Sequence, residues 1–253
     1  MSDDDDWPRG RRVLITGAAG GIGSAMARAF ATRGAEMVLA DRSEEGLAAV
    51  AATLPGPCTQ LLFDQGDAAS LAALAEAAGP VDVLLNNAGV LEIGLLLDTA
   101  PEAIERILRI DLIGPVTLAR LIAPGMAARG GGVIVNTASQ LAFDGAVTRG
   151  IYATAKAGLV QFTRTAGAEW AQLGVRVCAL APGRTLTPMI AATLAAPGAR
   201  EKALAGIPRG RFGTAEEMAE LALFLASPAA DYIVGETLIA DGGYVLVSGR
   251  GAS

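Results

Sequence analysis

Three polar side chains between residues 139 and 156 have the types and the spacing needed to move a proton. Tyr152 and Lys156 lie four residues apart, and Ser139 precedes the tyrosine by thirteen residues. If the segment ATAKAGLVQFTRTAG is helical, the tyrosine and the lysine project from one face. A phenol has a pKa near ~10, and a neighbouring ammonium group lowers that pKa because it favours the phenolate. The pair could therefore act as acid/base on an alcohol oxygen held by Ser139, in a chain without histidine.

A glycine-rich turn near the beginning of the chain could hold a phosphate group. The stretch TGAAGGIGSAMARAF follows a short apolar run and leads into an amphipathic helix. Backbone N–H groups in such a turn and the positive end of the helix dipole both attract a pyrophosphate. The glycines concerned are Gly17, Gly21 and Gly23.

A carboxylate at the end of the second apolar run could select the cofactor. Asp41 closes the run EMVLAD, twenty-four residues after Gly17, and can accept hydrogen bonds from ribose hydroxyl groups. A 2′-phosphate at this place would meet like charge, although the guanidinium of Arg42 could hold that phosphate. These residues rank NAD above NADP as the expected cofactor.

Short apolar runs rich in β-branched residues alternate with longer Ala- and Leu-rich segments. This alternation predicts a parallel sheet with helices on both faces. One stretch, around 184–212, follows a strand without leading promptly to another, and we expect it to form a substrate lid. The apolar runs are VLIT, MVLA, VDVLLN, VIVN, VRVCAL and TLIA, and the segments between them include SAMARAFATRG and AEEMAELALFLAS.

Composition argues against several other classes of protein. The net charge is −6, and the acidic stretch Asp3–Asp6 supplies four of the negative charges. The sequence has no cluster of Lys and Arg of the kind that binds a nucleic-acid backbone. Two cysteines are too few for a disulfide framework, and the N-terminus lacks a signal-peptide pattern, so we expect a cytoplasmic protein. No apolar run reaches the length of a membrane span. No residues have the spacing of metal ligands.

Taken in order, these motifs resemble those of the short-chain dehydrogenase/reductases. The resemblance implies an α/β, three-layer, doubly wound Rossmann fold with a mostly parallel, seven-stranded sheet. It implies an NAD(P)-dependent oxidoreductase that interconverts a secondary alcohol and a ketone, and it also implies a homotetramer. We expect one domain over 11–246, a disordered acidic tail at 1–10 and a second tail at 247–253. The matching set is TGAAGGIG, Asp41, Asp64, NNAG, Ser139, YATAK, PGRTLT and the DGG at Asp241.

The resemblance also assigns roles to individual residues. Tyr152 becomes the acid/base, Lys156 tunes it and binds the nicotinamide ribose, and Ser139 steadies the reacting oxygen. The cofactor would be held by Gly17, Gly21, Ile22 and Gly23 at the pyrophosphate, Asp41 at the adenosine ribose, Asp64 and Gln65 at the adenine, Asn87, Ala88 and Gly89 beside them, and Pro182, Gly183, Thr185 and Thr187 at the nicotinamide. Arg42 is a further cofactor-binding candidate because its charge could hold a 2′-phosphate.

Asp111 departs from the family pattern, because the family usually has asparagine at this position of a catalytic tetrad. An anion near Lys156 would change the charge balance of the site and raise the pKa of the tyrosine. On the substrate side, Arg184 could recognise a carboxylate or a polyol hydroxyl, beside Ser139, Leu141 and Tyr152. A mixed polar and apolar lining favours a small polyol, sugar or cyclic diol.

Two other functions fit the same motifs. An NADPH-dependent 3-oxoacyl-[acyl-carrier-protein] reductase would require Arg42 to override Asp41. A nucleotide-binding regulator without turnover would explain Asp111, but it would not need Ser139, Tyr152 and Lys156 together.

Overall fold

A seven-stranded sheet forms the centre of the computed structural model, which describes residues 6–191, 194 and 196–248. The strand order is β3-β2-β1-β4-β5-β6-β7, and all neighbouring strands run parallel. The doubly wound Rossmann fold expected from the motifs is confirmed. The strands are β1 Arg12–Thr16, β2 Glu36–Asp41, β3 Cys58–Leu62, β4 Val83–Asn86, β5 Gly132–Thr137, β6 Val175–Pro182 and β7 Thr237–Ala240.

Helices cover both faces of this sheet and give the three expected layers. Side chains alternate along each strand, so that Val13 and Ile15 face the helices at 21–31 and 215–226, while Leu14 faces the helices at 68–78 and 114–128. The helices are α1 Gly21–Ala31, α2 Glu44–Ala51, α3 Ala68–Ala78, α4 Pro101–Leu108, α5 Gly114–Ala128, α6 Gly150–Trp170, α7 Pro188–Ala191, α8 Ala199–Ala205, α9 Ala215–Ala226 and α10 Tyr244–Val247.

The strand order brings the candidate residues to one edge of the sheet. β1 lies between β2 and β4, so the chain leaves these strands toward opposite faces and opens a crevice at their carboxyl ends. The glycine-rich turn follows β1, Asp41 ends β2, and the NNAG motif begins at the end of β4. The topology thus accounts for residues distant in sequence meeting in one place.

Strand β3 was not among the apolar runs that predicted the sheet. Its sequence CTQLL contains two polar residues, and it lies at the edge of the sheet with Leu62 exposed. An edge strand is partly solvated and does not need a continuous apolar pattern. Periodicity alone therefore could not find it.

The segments predicted as tails and lid are described in part. Trp7 packs edge to face against Phe30, with ring centroids 5.8 Å apart, so the folded structure includes part of the segment 1–10. Residues 1–5 and 249–253 lie outside the described residues, and the tail boundaries stay predictions. The segment 184–212 contains α7 and α8, with residues 192, 193 and 195 outside the description. Among the described helices, none is long and apolar enough to cross a membrane.

Candidate functional site

Helix α6 carries the tyrosine and the lysine on one face, as their spacing predicted. The Lys156 ammonium is 5.6 Å from the centroid of the Tyr152 ring. It donates a hydrogen bond of 3.0 Å to the Thr137 carbonyl at the end of β5, and its side chain is almost completely buried. The lysine is thereby fixed against the sheet while the tyrosine above it faces a cavity.

Ser139 meets this pair from the loop after β5. Its hydroxyl oxygen accepts a hydrogen bond of 3.2 Å from the Leu141 N–H group and caps the short 3₁₀ turn Gln140–Phe143. The same hydroxyl group acts on the neighbouring Tyr152 phenol, whose pKa it lowers. The structure thus brings together the three residues that the sequence selected for proton transfer.

Asp111 lies beneath the lysine, fully buried, in a π-helical turn over Arg109–Ile113 that joins α4 to α5. Its Oδ1 atom is 3.2 Å from Lys156 Nζ, and both carboxylate oxygens accept from the Val90 N–H group at 3.3 and 3.2 Å. A Cβ atom at Gly89 would come within 2.5 Å of the same Oδ1 atom. Glycine is therefore required beside the carboxylate, and the π turn places Asp111 beside Lys156.

Burial and the neighbouring groups shift the pKa of Tyr152 in different directions. Burial raises the pKa of Tyr152, Lys156 lowers it, Asp111 raises it again, and the Ser139 hydrogen bond lowers it, with a net increase. The sequence predicted that the lysine would bring the pKa down. The lysine does act in that direction, but the loss of solvent and the Asp111 charge outweigh it.

The lysine and its carboxylate are coupled in the same way. Burial would lower the pKa of Lys156, but the negative charges of Asp111 and Tyr152 outweigh burial and raise it. Burial raises the pKa of Asp111, against the opposing effects of Lys156 and the Val90 N–H group. The ion pair therefore favours a charged lysine under the tyrosine.

A cleft of about 370 Å³ runs along the carboxyl ends of β1, β2 and β4. It is lined by most of the residues predicted to hold a dinucleotide. These are Gly17, Gly21, Ile22, Asp41, Arg42, Asp64, Gln65, Asn87, Ala88, Gly89, Tyr152, Lys156 and Thr187.

The phosphate end of this cleft has the geometry that a dinucleotide needs. Gly17 has a φ of +66°, and a Cβ atom there would lie 2.7 Å from the Ala88 Cα atom. Helix α1 begins after Gly20 with no side-chain cap, so its first N–H groups have no acceptor within the helix. A Cβ atom at Gly21 would come 2.8 Å from the Thr187 side chain and fill the space above these groups. The residues present therefore fit a pyrophosphate.

Gly23 was predicted to line the pyrophosphate, but the structure places it below the turn. A Cβ atom there would collide with the Gly17 carbonyl oxygen, and Gly23 borders neither the cleft nor the neighbouring cavity as described. Its contribution is close packing of α1 against the turn.

At the adenosine end of the cleft, backbone N–H groups fix the side chain of Asp41. The two oxygens of Asp41 accept hydrogen bonds of 3.1 Å from the Ala19 and Ser43 N–H groups, which fix the carboxylate at the cleft wall. Arg42 is exposed beside it. Gln65 lies deeper than expected for a residue beside an adenine, since its Nε2 group donates to the Ala88 and Ile110 carbonyls at 3.0 Å. It braces the NNAG loop against the π turn.

A chain of buried amides that the sequence analysis did not single out connects the sheet to α6. Asn86 Nδ2 donates to Asn136 Oδ1 at 3.0 Å, and Asn136 Nδ2 donates to Thr163 Oγ1 at 2.9 Å. Asn136 and Thr163 are fully buried. An asparagine inside the apolar run VIVN was the signal for this chain, because a buried amide requires partners.

A second cavity, of about 500 Å³, opens on the other side of Tyr152. Within it, Arg184 donates to the Ala203 carbonyl of α8 and lies 5.3 Å from the centroid of the Tyr244 ring. This cavity and the dinucleotide cleft share Tyr152 as a wall. The predicted residues that line the cavity are Ile22, Ser139, Leu141, Tyr152, Pro182, Gly183, Arg184, Thr185 and Thr187. In the described part of the chain, no cluster of His, Cys, Asp and Glu could hold a metal ion.

Comparison with known proteins extends this picture to the whole chain. The model of a family described as Enoyl-(Acyl carrier protein) reductase matches residues 17–245. A galactitol 2-dehydrogenase (L-tagatose-forming) of Cereibacter sphaeroides is 37% identical, covering 94% of this chain and 96% of that protein. A 3-oxoacyl-[acyl-carrier-protein] reductase of Thermotoga maritima is also 37% identical, with 94% and 98% covered. An uncharacterised short-chain type dehydrogenase/reductase of Sinorhizobium fredii is 37% identical over 99% of this chain, which spans 46% of that longer protein.

Solved structures agree with the fold and bear on the cofactor. A candidate NAD(P)-dependent gluconate 5-dehydrogenase from Beutenbergia cavernae, with NADP bound at low occupancy, has a TM-score of 0.90 and 36% identity, covering 95% of this chain and 99% of that one. A candidate 2-deoxy-D-gluconate 3-dehydrogenase from Agrobacterium tumefaciens also has bound NADP, with a TM-score of 0.89, 32% identity, and 97% and 100% covered. The ranking of NADP below NAD is thus not supported, and NADP stands at least level with NAD. The chain belongs to the short-chain dehydrogenase/reductases and is an NAD(P)-dependent oxidoreductase that acts on a CH–OH group.

Proposed function

We propose that the protein interconverts a small polyol, sugar or cyclic diol and the corresponding ketone, with Tyr152 as the acid/base. The observation that carries this proposal is the position of Tyr152, whose side chain lines both the dinucleotide cleft and the second cavity. A group at that junction can exchange a proton with an alcohol in the second cavity while the carbon of that alcohol faces the cleft.

The residues around Tyr152 divide the chemistry among them. In alcohol oxidation the Tyr152 phenolate accepts the hydroxyl proton, and Ser139 keeps the same oxygen in place by a hydrogen bond. Lys156 stabilises the phenolate by its charge, and Asp111 and the Thr137 carbonyl hold the lysine in position. A nicotinamide cofactor in the cleft supplies the redox chemistry as hydride acceptor or donor. In the reduction of a ketone the phenol returns the proton.

The cofactor residues are proposals of the same kind. The first turn of α1 would hold the pyrophosphate, and the anchored carboxylate of Asp41 would lie at the adenosine ribose. Pro182, Gly183, Thr185 and Thr187, at and after the end of β6, would border the nicotinamide. Arg42, exposed at the same wall, offers a positive charge to a 2′-phosphate, so these two neighbours decide the preference between NAD and NADP.

The substrate class is supported by relatives and by the cavity. One relative is described as acting on galactitol, and a solved structure as a candidate gluconate dehydrogenase. The cavity combines polar groups such as Ser139 and Gln140 with apolar walls such as Leu91 and Leu141. A volume of about 500 Å³ suits a small ligand.

The relative from Thermotoga maritima supports a second candidate, reduction of a 3-oxoacyl thioester on an acyl carrier protein. Such a carrier is acidic, and this chain carries a net charge of −6, which disfavours the encounter of the two proteins. Relative turnover of a 3-oxoacyl thioester and of polyols separates the two candidates.

Exchange of Tyr152 for phenylalanine tests the proposed chemistry. Tyr152→Phe keeps the ring but removes the proton, so kcat for oxidation of a polyol panel should fall by about 10²- to 10⁴-fold. Binding of NADH and NADPH, followed by fluorescence, should remain. Tyr232→Phe, at a fully exposed tyrosine, is the matched control. Full activity of Tyr152→Phe would refute the proposed acid/base.

We further propose that the protein is a homotetramer. This proposal is supported by two groups of exposed apolar side chains. The first group extends from the segment before α4 into α5, and the second lies in the C-terminal part of the chain. They include Leu96, Leu97, Ile113 and Leu121 in the first group, and Phe224, Tyr232, Ile239 and Leu246 in the second. Cytoplasmic location stays a prediction from the sequence.

A further inference from the structure

Positive charge is concentrated on the wall of the substrate cavity. Arg149, Arg184 and Lys202 line this cavity, and Asp144 is the one acidic residue among the described residues that line it. The chain as a whole has a net charge of −6. A local excess of cations in an acidic protein would attract an anion to the cavity.

None of these three cations is neutralised by an ion pair within the described residues. The recorded salt bridges join other residues, such as Arg106 to Glu92 and Arg211 to Glu217. Asp144 itself accepts a hydrogen bond of 2.9 Å from the Gly145 N–H group, within its own turn. The cations of the cavity are therefore available to a ligand.

Arg149 lies immediately before α6, three residues from Tyr152, and is half-buried. Its recorded hydrogen bond is one of 3.3 Å from Nη1 to the Thr148 hydroxyl. Thr148 has a φ of +65°, which a β-branched residue rarely adopts. Strained backbone of this kind is retained where the fold must hold a side chain in a particular place. Here the strained residue, Thr148, comes directly before Arg149, which borders the cavity.

Arg184 is held from two sides, which fixes the plane of its guanidinium. Nη1 donates to the Ala203 carbonyl, and the Tyr244 ring lies 5.3 Å away. The described residues give no partner to its remaining N–H groups, and a planar fork of donors suits a carboxylate. Lys202 adds a third charge from α8, one residue before the carbonyl that holds Arg184.

The cavity also contains an acceptor that lacks a donor. Gln140 is 3% exposed and borders the cavity, and its Oε1 atom has no hydrogen-bond partner among the described residues. A buried amide oxygen is costly unless it is paired. A ligand hydroxyl group that reaches this side chain could supply the missing hydrogen bond.

We propose that the physiological substrate is a hydroxy acid, whose carboxylate is bound by Arg149, Arg184 and Lys202 while its reacting hydroxyl lies at Tyr152 and Ser139. This assignment rests on the proposed function and narrows its substrate class from polyols and cyclic diols in general to those with a carboxylate. The class includes sugar acids and hydroxycycloalkane carboxylates.

Matched compounds with and without the charge provide the test. D-Gluconate and D-glucitol share a carbon skeleton, as do 4-hydroxycyclohexanecarboxylate and its amide. For at least one of these pairs, kcat/KM should be about tenfold or more higher for the acid, equivalent to about 1.4 kcal/mol. Raising the salt concentration from about 0.05 M to about 0.5 M should reduce that preference, because salt screens the attraction.

Neutral variants locate the effect. Arg149→Gln, Arg184→Gln and Lys202→Gln should each raise KM for the acid by several-fold more than KM for the neutral partner. Arg200→Gln is the matched control on α8, since Arg200 packs over the Phe212 ring and does not border the cavity as described. Thermal unfolding of each variant shows whether a loss of activity reflects a loss of folding. The salt dependence of the unaltered protein tests the carboxylate site even if a variant does not fold.

The outcomes separate the inference from the function on which it rests. Equal use of acid and neutral partners at both salt concentrations would overturn the carboxylate site while leaving the dehydrogenase function in place. An acid preference that persists in all three variants would equally overturn the assigned residues. If neither acids nor neutral alcohols were oxidised with either cofactor, the proposed function would fail and the inference with it.

Discussion

At the level of single residues, Asp111 sets the charge balance around Tyr152. Its negative charge raises the pKa of the tyrosine, so its removal should lower that pKa. Alcohol oxidation requires the phenolate, and the rising limb of its pH profile should therefore move to lower pH in Asp111→Asn. At pH 7, kcat/KM for oxidation should increase by about two- to tenfold.

The pH profile of kcat/KM, measured from about pH 6 to about pH 11, checks this expectation. Asp231→Asn is the control, because Asp231 is an exposed carboxylate. An unchanged profile in Asp111→Asn, with the protein folded, would show that Asp111 does not influence the acid/base.

We also expect single side chains to decide the preference between NAD and NADP. Asp41→Asn keeps an acceptor for only one of the Ala19 and Ser43 N–H groups, and it removes the charge that opposes a 2′-phosphate. The ratio of kcat/KM for NADP to that for NAD should rise by about tenfold. Arg42→Gln should lower the same ratio, and Arg28→Gln, on α1 outside the cleft as described, should leave it unchanged. A fall of the ratio in Asp41→Asn would contradict this account.

Residue types and spacing were enough to select Ser139, Tyr152 and Lys156. A tyrosine and a lysine four residues apart share one face of a helix, and their side chains can therefore interact. They were not enough to give the net direction of the Tyr152 pKa, since burial depends on the packing around the ring. The place of Gly23 was equally hidden. A glycine that touches a ligand and a glycine that packs against backbone look the same in a sequence.

At the level of elements, the position of α6 depends on the chain of buried amides from Asn86 to Thr163. Thr163→Val removes the acceptor of the Asn136 Nδ2 group and leaves that group unsatisfied in the core. The free energy of unfolding should fall by about 1–3 kcal/mol. Because Thr163 lies on the helix that carries Tyr152 and Lys156, kcat should also fall.

Urea unfolding followed by circular dichroism, together with kcat under saturating substrate, measures both effects. Thr165→Val supplies the comparison, since Thr165 is exposed two residues further along the same helix. Equal stability of the two variants would mean that the amide chain does not hold α6.

Elements with a regular apolar pattern were the ones that the sequence predicted. Helix α6 and strand β5 followed their periodicity, whereas the edge strand β3 did not, because one side of it is solvated. The π turn Arg109–Ile113 escaped for another reason. Its hydrogen bonds span one residue more than those of an α-helix, which no side-chain pattern records. The turn nevertheless brings Asp111 to Lys156.

For the whole molecule, the order of the motifs along the chain was the most informative signal. A glycine turn after β1, a carboxylate after β2 and a tyrosine helix after β5 can meet only if the strands are parallel and their carboxyl ends share one edge. The three-layer fold followed from that condition. The cations of the substrate cavity come from three separate segments, so their convergence could be seen only after the chain was folded.

Assembly is the last property that belongs to the whole molecule. Two separate self-complementary surfaces on one chain generate a tetramer with three two-fold axes, whereas one surface gives a dimer. We therefore expect light scattering to give four times the chain mass of 25.5 kDa. Leu121→Glu on α5 and Phe224→Glu on α9 should each reduce this mass to that of a dimer, because each places a charge within one apolar group. The double variant should be monomeric, and a monomer before any substitution would contradict the proposal.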